Sequence, residues 1–490
     1  MGTEKHYTRD ELLLMADKLV SARITFGELD KNGEYLKEGN KGDLGMLVED
    51  CWFGQKPHND SEPDFRDAHI ELKVSPYYNT NNGVSAKERL VCNIINYRNE
   101  SLPGKVFRDS SFWKKCENIL LLSYHHAKGE ATNKGAVFKK DLFVDKFALI
   151  EGYPEEDLLI IMEDWNIIVS KIRAGKAHEL SESDTKYLGA CTKGSTAQES
   201  FVEQPYSRTP AKQRAFALKT TYMTRLLRKY VFGDEESPHI ITDVSELKKQ
   251  PFDDIILERI LRFRGRTENE LLDMAGITSR SKQVYARLTN FMMGLGNTDK
   301  ICEEFLSANI KVRSIHVEAN GNIKESVSFP TFCFEDLLNQ EWESSDLYND
   351  VISARFLFVI YRISPSGITR LAGAGFWNMS YRDAEEAHRV WNRTIEEIKN
   401  NAGLRKTMRG GQVQITNTLP KISESPIMHV RPHTSRAAYL LKDGTEIGNI
   451  FSHADRLPNG EWMTKQCFWL NASYVEKIVK GIMKKFDDGR

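Results

Sequence analysis

The chain has no long charge-free apolar run and no basic start followed by an apolar stretch. Neither a membrane span nor secretion by a signal peptide is expected. Its seven cysteines (51, 92, 116, 191, 302, 333 and 467) are scattered, odd in number and free of any C-x-x-C pair. That argues against a structural zinc site and a disulfide scaffold, and points to a reduced, cytoplasmic chain. Net charge of one sign is missing too: 68 Lys and Arg stand against 69 Asp and Glu, a formal balance of −1. The chain as a whole is no nonspecific polyanion binder, so a nucleic-acid partner needs local basic patches offset by acid elsewhere. What is present is an ordinary globular mix, 40% hydrophobic and 28% charged over 490 residues, too long for one compact core.

Strand and helix patterns interleave. "AHIELKVSP" alternates, with Ile70, Leu72 and Val74 on one face and Glu71 and Lys73 on the other. "LVCNIINY", "ENILLLSYH" and "FALIEGY" read as strands, and "EEDLLIIMEDWNIIVSKIRAGK" has helical spacing that stops at a glycine. Interleaving of this kind predicts a mixed α/β domain over residues 1–233. Residues 234–299 have apolar positions at helical spacing between turn signals, which predicts a helical connector. Over residues 300–490 the first pattern recurs in order. "ANIKVRSIHV" follows "AHIELKVSP", "ARFLFVIYRI" follows "ENILLLSYHH", and "KQCFWLNASY" follows "KQRAFALKTTY" with F-x-L-x-x-x-Y in each. An internal duplication is expected.

Within "DSEPDFRDAHIELKVSP", Pro63-Asp64 precedes Glu71-Leu72-Lys73. Hydrolysing a phosphodiester requires a water made nucleophilic and charge neutralised on the transition state, and a carboxylate-held divalent ion does both. Residues i and i+2 of a strand point the same way, so Glu71 and Lys73 can share a pocket. Asp64 approaches across a turn, with Asp67 its rival, and Glu49 on the preceding helix is a further acid. Mg²⁺ suits so few carboxylates because it keeps several waters. The string alone is common: Glu246-Leu247-Lys248 repeats it at an expected helix start. The duplicate sharpens the reading. Aligning Ile70 with Ile310 sets Lys311 opposite Glu71 and Arg313 opposite Lys73, and a base at a metal-ligand position repels the ion. Cutting is therefore expected of the first lobe alone.

The acid-free segment "PAKQRAFALKTTYMTRLLRKY" carries Lys212, Arg214, Lys219, Arg225, Arg228 and Lys229, and a phosphate-tracking face is expected there. "CTKGSTA" with Lys193 and "HVRPHTSR" with Arg431 and His433 are basic turns of the kind that reach base edges. Trp113 and Trp165 are expected in the core.

"KGDLGMLVEDCWFG", "PDFRDAHIELKVSP", "EDWNIIVSKIRAGK" and "AFALKTTYMTRLL" resemble, in order from Lys41 to about Arg228, the MutH family of GATC-nicking mismatch-repair endonucleases. "SAKERLVCNIINY", "GKAHELSE", "CTKG", "AKQRAFALK", "HVRPHT" and "EWMTKQCFW" extend the resemblance over nearly the whole chain, to two-lobed staphylococcal MutH-like restriction endonucleases that cut before the G of GATC. The resemblance implies two tandem restriction-endonuclease-like, PD-(D/E)xK mixed-sheet domains of MutH type joined by the connector. The first is a Mg²⁺-dependent nuclease leaving 5′-phosphates; the second binds DNA without cutting. It makes Asp64 and Glu71 metal ligands, Lys73 the catalytic lysine and Glu49 a supporting acid. It assigns DNA contacts to Lys193 and Arg431, which join Lys212, Arg214, Lys219 and His433, while Cys191 replaces the family's loop arginine. Implied partners are double-stranded DNA, a second copy of the chain on DNA, and a cognate DNA methyltransferase. A strand-nicking repair enzyme and a non-cleaving DNA-binding regulator are the alternative readings.

Overall fold

The computed structural model describes all residues except 1–4, 37–42, 59, 82, 127–138, 194–199, 235–236, 280, 282, 325 and 488–490. Lys41, where the MutH-like stretch begins, residues 194–197 of the "CTKGSTA" turn, and Glu235-Glu236 of the expected connector turn lie outside the described residues. Two compact units emerge, Met1–Phe252 with Lys300–Asn309 and Asp253–Asp299 with Ile310–Arg490. The stretch 234–299 is thus divided between them. Polar contacts show why. Glu304 accepts from the backbone N–H groups of Ile240 (3.1 Å) and Ile241 (3.0 Å), tying 300–309 to the first unit. In the second, Asp253 pairs with the Arg355 guanidinium (2.9 Å), and Gly265 N–H donates to the Leu371 carbonyl (2.8 Å). Glu246-Leu247-Lys248 lies in the helix Ser245–Lys249, as its spacing predicts.

The first unit is mixed α/β. Helix α1 (Arg9–Ala22) starts with a capping box between Thr8 and Glu11. Helix α2 (Asp43–Leu47) runs into a π-helical turn, Val48–Phe53, closed by Gly54 in the left-handed region (φ 68°). Strands β1 (Glu71–Thr80), β2 (Gly83–Ala86) and β3 (Leu90–Ile94) follow, then α3 (Ser111–Cys116), β4 (Asn118–His125), β5 (Lys146–Glu151) and the long α4 (Glu155–Arg173). Strand β6 (Leu188–Thr192), β7 (Arg214–Leu218) and α5 (Thr220–Leu226) complete the set. One sheet has order β2-β1-β4-β5, with β1 and β4 parallel at its centre; a second is antiparallel, β3-β7-β6. Leu120 and Leu122 of β4 pack with Ile70 and Leu72 in one apolar cluster, the face that the alternation predicts. Each such buried side chain contributes about 1.5–3 kcal/mol.

The second unit repeats this pairing. Strands β8 (Ile310–Val317), β9 (Val327–Phe332), β10 (Arg355–Ile363) and β11 (Thr369–Asn378) precede the long α6 (Tyr381–Lys399). A hairpin, β12 (Arg405–Arg409) and β13 (Gln412–Thr416), comes next, then β14 (Met428–Pro432), β15 (Gln466–Leu470) and α7 (Ala472–Asp487). β8 is parallel to β10, β10 antiparallel to β11, and β15 lies between β9 and β14. Helices α4 and α6 both have 19 residues, and each carries Trp-Asn at its eleventh and twelfth positions: Trp165-Asn166 and Trp391-Asn392. In each, the third residue is an aspartate that accepts from the tyrosine of the F-x-L-x-x-x-Y motif. Tyr222 Oη donates to Asp157 (3.1 Å) and Tyr474 Oη to Asp383 (2.7 Å). The same tyrosine–aspartate bond thus recurs at one register in both units. Among the described residues no helix is long and apolar enough to cross a membrane.

Candidate active site

The site begins with a turn. Phe65 and Ile70 exchange backbone hydrogen bonds (2.9 and 3.2 Å) around Arg66–His69, and His69 takes a left-handed conformation (φ 53°) to close the loop. This hairpin brings Asp64, seven residues before Glu71, directly beside it. The Asp64 N–H donates to Glu71 Oε2 (3.2 Å), and Asp64 Oδ2 accepts from the N–H of Leu72 (2.9 Å). Asp67, the alternative acid, turns outward and pairs with His6. Asp64 and Glu71 are buried, Glu71 to 1% exposure. A parallel partner strand covers one side, with Glu71 opposite Ile119 and Lys73 opposite Leu121.

Two ammonium groups answer these carboxylates. Lys73 Nζ lies 2.6 Å from Glu71 Oε1. Lys115, from α3, sits 3.5 Å from Glu71 Oε1 and 3.9 Å from Asp64 Oδ1, and donates to the carbonyls of Asp60 (3.4 Å) and Glu62 (3.2 Å). Nothing local in the sequence marks Lys115, which lies 44 positions after Glu71; only the fold brings α3 to this end of β1. His58 is a second unforeseen neighbour, with Nε2 3.9 Å from Asp64 Oδ1. Glu49 sits in the π-helical turn, and its buried Oε1 has no hydrogen-bond partner among the described residues.

Burial and crowding of like charge set the electrostatics. Desolvation, with Asp64 and Glu71 nearby, pushes the Glu49 carboxyl up to about 8. Desolvation also raises Glu71 to about 7, against the pull of Lys73 and Lys115. Burial works against the Lys73 ammonium, but Glu71, Cys116 and Asp64 together outweigh it and hold the lysine above its ordinary value. The charged form of Lys73 is thus the favoured one. Three acids facing one another in a poorly hydrated place are unfavourable unless positive charge joins them.

A divalent cation fits this donor set. The ligands are hard oxygens, and one of them, Glu49 Oε1, is buried without a partner among the described residues. Among the described residues no group of three or more acidic, histidine or cysteine side chains is placed to hold a metal ion. Mg²⁺ needs no such group, since it takes one or two carboxylates and retains water.

The second unit carries the same strand pair with the charges exchanged. β4 and β10 start at Asn118 and Arg355, and the registers set Ile119 beside Glu71 and Phe356 beside Lys311. There Lys311 pairs with Asp350, which stands in a π-helical turn, Tyr348–Ile352. Arg313 donates to the Val312 carbonyl (3.0 Å) and lies over the Phe356 ring.

Residues 53–161 match the family model of the DNA mismatch repair enzyme MutH. The type II restriction enzyme Sau3AI of Staphylococcus aureus is 36% identical over 484 residues, covering 92% of this chain and 94% of that relative. The chain belongs to the type II restriction endonucleases. Its acid–lysine constellation lies within the first unit and mostly within the MutH-matching span, Glu49 just before it.

The enzyme's expected DNA-contact residues separate into three groups by burial. Arg214 is buried, donating to the carbonyls of Ala190 (2.6 Å) and Leu180, and Lys219 is buried and donates to the Thr185 carbonyl. Arg225 pairs with buried Asp157 (2.5 Å), and Arg228 donates to the Val84 carbonyl (2.7 Å). The expected cationic face is thus largely turned into the fold, where these groups satisfy backbone carbonyls and a carboxylate. Lys193 and Lys212 are half-buried. Arg431 and His433 are exposed, with the Arg431 guanidinium 3.8 Å over the Trp469 ring and His433 edge-on to it at 5.2 Å. The first unit's counterparts of Arg431 and Trp469 by register, Cys191 and Ala217, are buried and small. Trp113 and Trp165 are buried as expected.

Proposed function

We propose that the enzyme is a Mg²⁺-dependent endonuclease cutting both strands of duplex DNA at GATC and leaving 5′-phosphates. The observation that carries this is the convergence of Asp64, Glu71 and Lys73, with Lys115 beside them, at the edge of a parallel strand pair. Asp64 and Glu71 hold the ion, and Glu49 supports it. When bound, Mg²⁺ makes a water nucleophilic and neutralises charge on the transition state. Lys73, held as a cation, donates to the attacking water or the phosphate oxygen rather than abstracting a proton. Lys115 balances the acids and fixes the Asp60–Glu62 backbone that presents Asp64. Both lysines stabilise charge that grows along the reaction, which is where fixed donors contribute most.

In this reading residues 1–233 form a catalytic, MutH-like restriction-endonuclease domain, 234–299 a helical connector, and 300–490 a related DNA-binding domain without the cutting residues. Lys193 and Lys212 contact DNA in the first, Arg431 and His433 in the second. Specificity for GATC comes from the family. One complete acid–lysine centre occurs among the described residues, so cutting two strands requires two chains on one site or successive nicks. A methyltransferase modifying the same sequence in the cytoplasm protects host DNA.

Incubating supercoiled plasmid with Mg²⁺ tests the proposal. Linear product with ligatable 5′-phosphate ends mapping to GATC is expected, with none after EDTA or Asp64→Ala. Intact plasmid with the wild-type enzyme contradicts it. Gel filtration with a GATC duplex separates the two-chain route from successive nicking.

A further inference from the structure

Between α6 and β14 the second unit carries the hairpin β12–β13, whereas in the first unit the short turns Ala177–Glu179 and Glu182–Asp184 occupy the corresponding stretch between α4 and β6. Its ladder runs from Arg405 opposite Thr416 to Arg409 opposite Gln412, closed by Gly410-Gly411 with φ of 56° and 76°. A two-residue turn with both φ positive matches the twist of the strands and demands glycine-like freedom. At the base, Leu404 and Ile415 pack on the unit's core. Toward the tip, Met408 faces Val413 across the ladder, 64% and 36% exposed.

Scattered exposed apolar side chains are ordinary. The charge around this pair is not. From Ile398 to Ser423 the chain carries Lys399, Arg405, Lys406, Arg409 and Lys421 and no acid, although acids balance bases over the whole protein. Lys406 shares its ammonium with Asp443 (3.0 Å) and Thr445 (2.6 Å); Arg405 is exposed. By strand alternation Met408 shares a face with Lys406, and Thr407 and Gln414 lie on the face of Arg405. A ribbon with cations along its strand and an apolar tip matches a duplex, whose phosphates flank a groove wide enough for two strands. Apolar side chains at such tips contact the thymine methyl groups that line that groove.

We infer that the β12–β13 hairpin is a DNA-docking ribbon, with Arg405 set against the phosphates and the Met408–Val413 tip inside the groove. This rests on the reading that the enzyme acts on duplex DNA. The test uses the full-length enzyme, a fluorescent GATC duplex without divalent ions, and anisotropy across a salt series. Met408→Glu puts a like charge against the groove and is expected to weaken binding by about tenfold or more. Arg405→Ala is expected to shallow the slope of log affinity against log salt by about one. Circular dichroism and Tm should not move, because both side chains are exposed. Wild-type affinity and slope in both variants overturn the ribbon while leaving the nuclease reading intact. Unchanged DNA binding with a lower protein mass by sedimentation for Met408→Glu also overturns it, making the tip a contact between copies. A wild-type enzyme that binds no duplex overturns both readings.

Discussion

The two units place opposite charges on one scaffold. In the first, a strand carries acid then base (Glu71, Lys73), and a neighbouring helix supplies a cation, Lys115. In the second, the strand carries two bases (Lys311, Arg313), and the neighbouring turn supplies an acid, Asp350. The parallel strand pair and its antiparallel neighbour recur in both, so the fold alone does not confer chemistry. Clustered carboxylates, with Glu49 and Glu71 pushed above their ordinary values, invite a divalent cation; a lysine already neutralised by an aspartate does not. The helix–sheet framework, kept down to the Tyr–Asp bond onto the third residue of the long helix, tolerates either charge pattern.

The comparison breaks most readily at the acids. Glu71→Ala should lower the single-turnover cleavage rate beyond the roughly 100-fold typical of a lost outer-shell partner, while duplex binding persists. Lys115→Met is expected to cost cleavage about 10–100-fold and to shift the Mg²⁺ concentration for half-maximal rate, since it faces both acids. Rescue by Lys115→Arg separates lost charge from lost packing. Arg431→Ala should weaken site-specific binding by about 1–3 kcal/mol in competition assays, and Trp469→Ala by less, through a looser guanidinium.

A smaller, pH-dependent effect sharpens the contrast. Glu49 is held near 8 in the fold against an ordinary 4.5, so the folded protein keeps a proton that the unfolded chain releases. Its contribution to stability is full below about 4.5 and is lost as pH rises toward about 8. Glu49→Gln removes that loss. In metal-free buffer its Tm should gain on the wild type over this window, by about 2–4 °C for each kcal/mol recovered, and the gain should vanish once Mg²⁺ binds. Smallest of all is Lys311→Met: its pair with Asp350 is partly exposed, 23% and 31%, so cleavage should stay within about twofold of wild type.

Much of this was legible in the residues. Period-two alternation in "HIELKVSP" marked both the strand and the two residues sharing its polar face. The repeated F-x-L-x-x-x-Y motif pointed to duplication, and its phenylalanines and tyrosines prove to be core. Lys115 was not legible, because its neighbours in sequence are ordinary and its position depends on where α3 docks. Arg214 and Lys219 misled for the opposite reason. Basic residues interleaved with apolar ones read as an exposed face, yet carbonyls of the 180–190 segment wait inside to receive them. Partners so distant in sequence leave no local periodicity.

Ion binding itself is the most direct test of the contrast. Mn²⁺ has a spin signal that reports bound against free ion, so titrating the enzyme with Mn²⁺ beside a GATC duplex counts sites per chain. The expected result is a site abolished by Glu71→Ala and untouched by Asp350→Ala. Undiminished binding in Glu71→Ala, or its loss in Asp350→Ala, would contradict the assignment of the metal to the first unit.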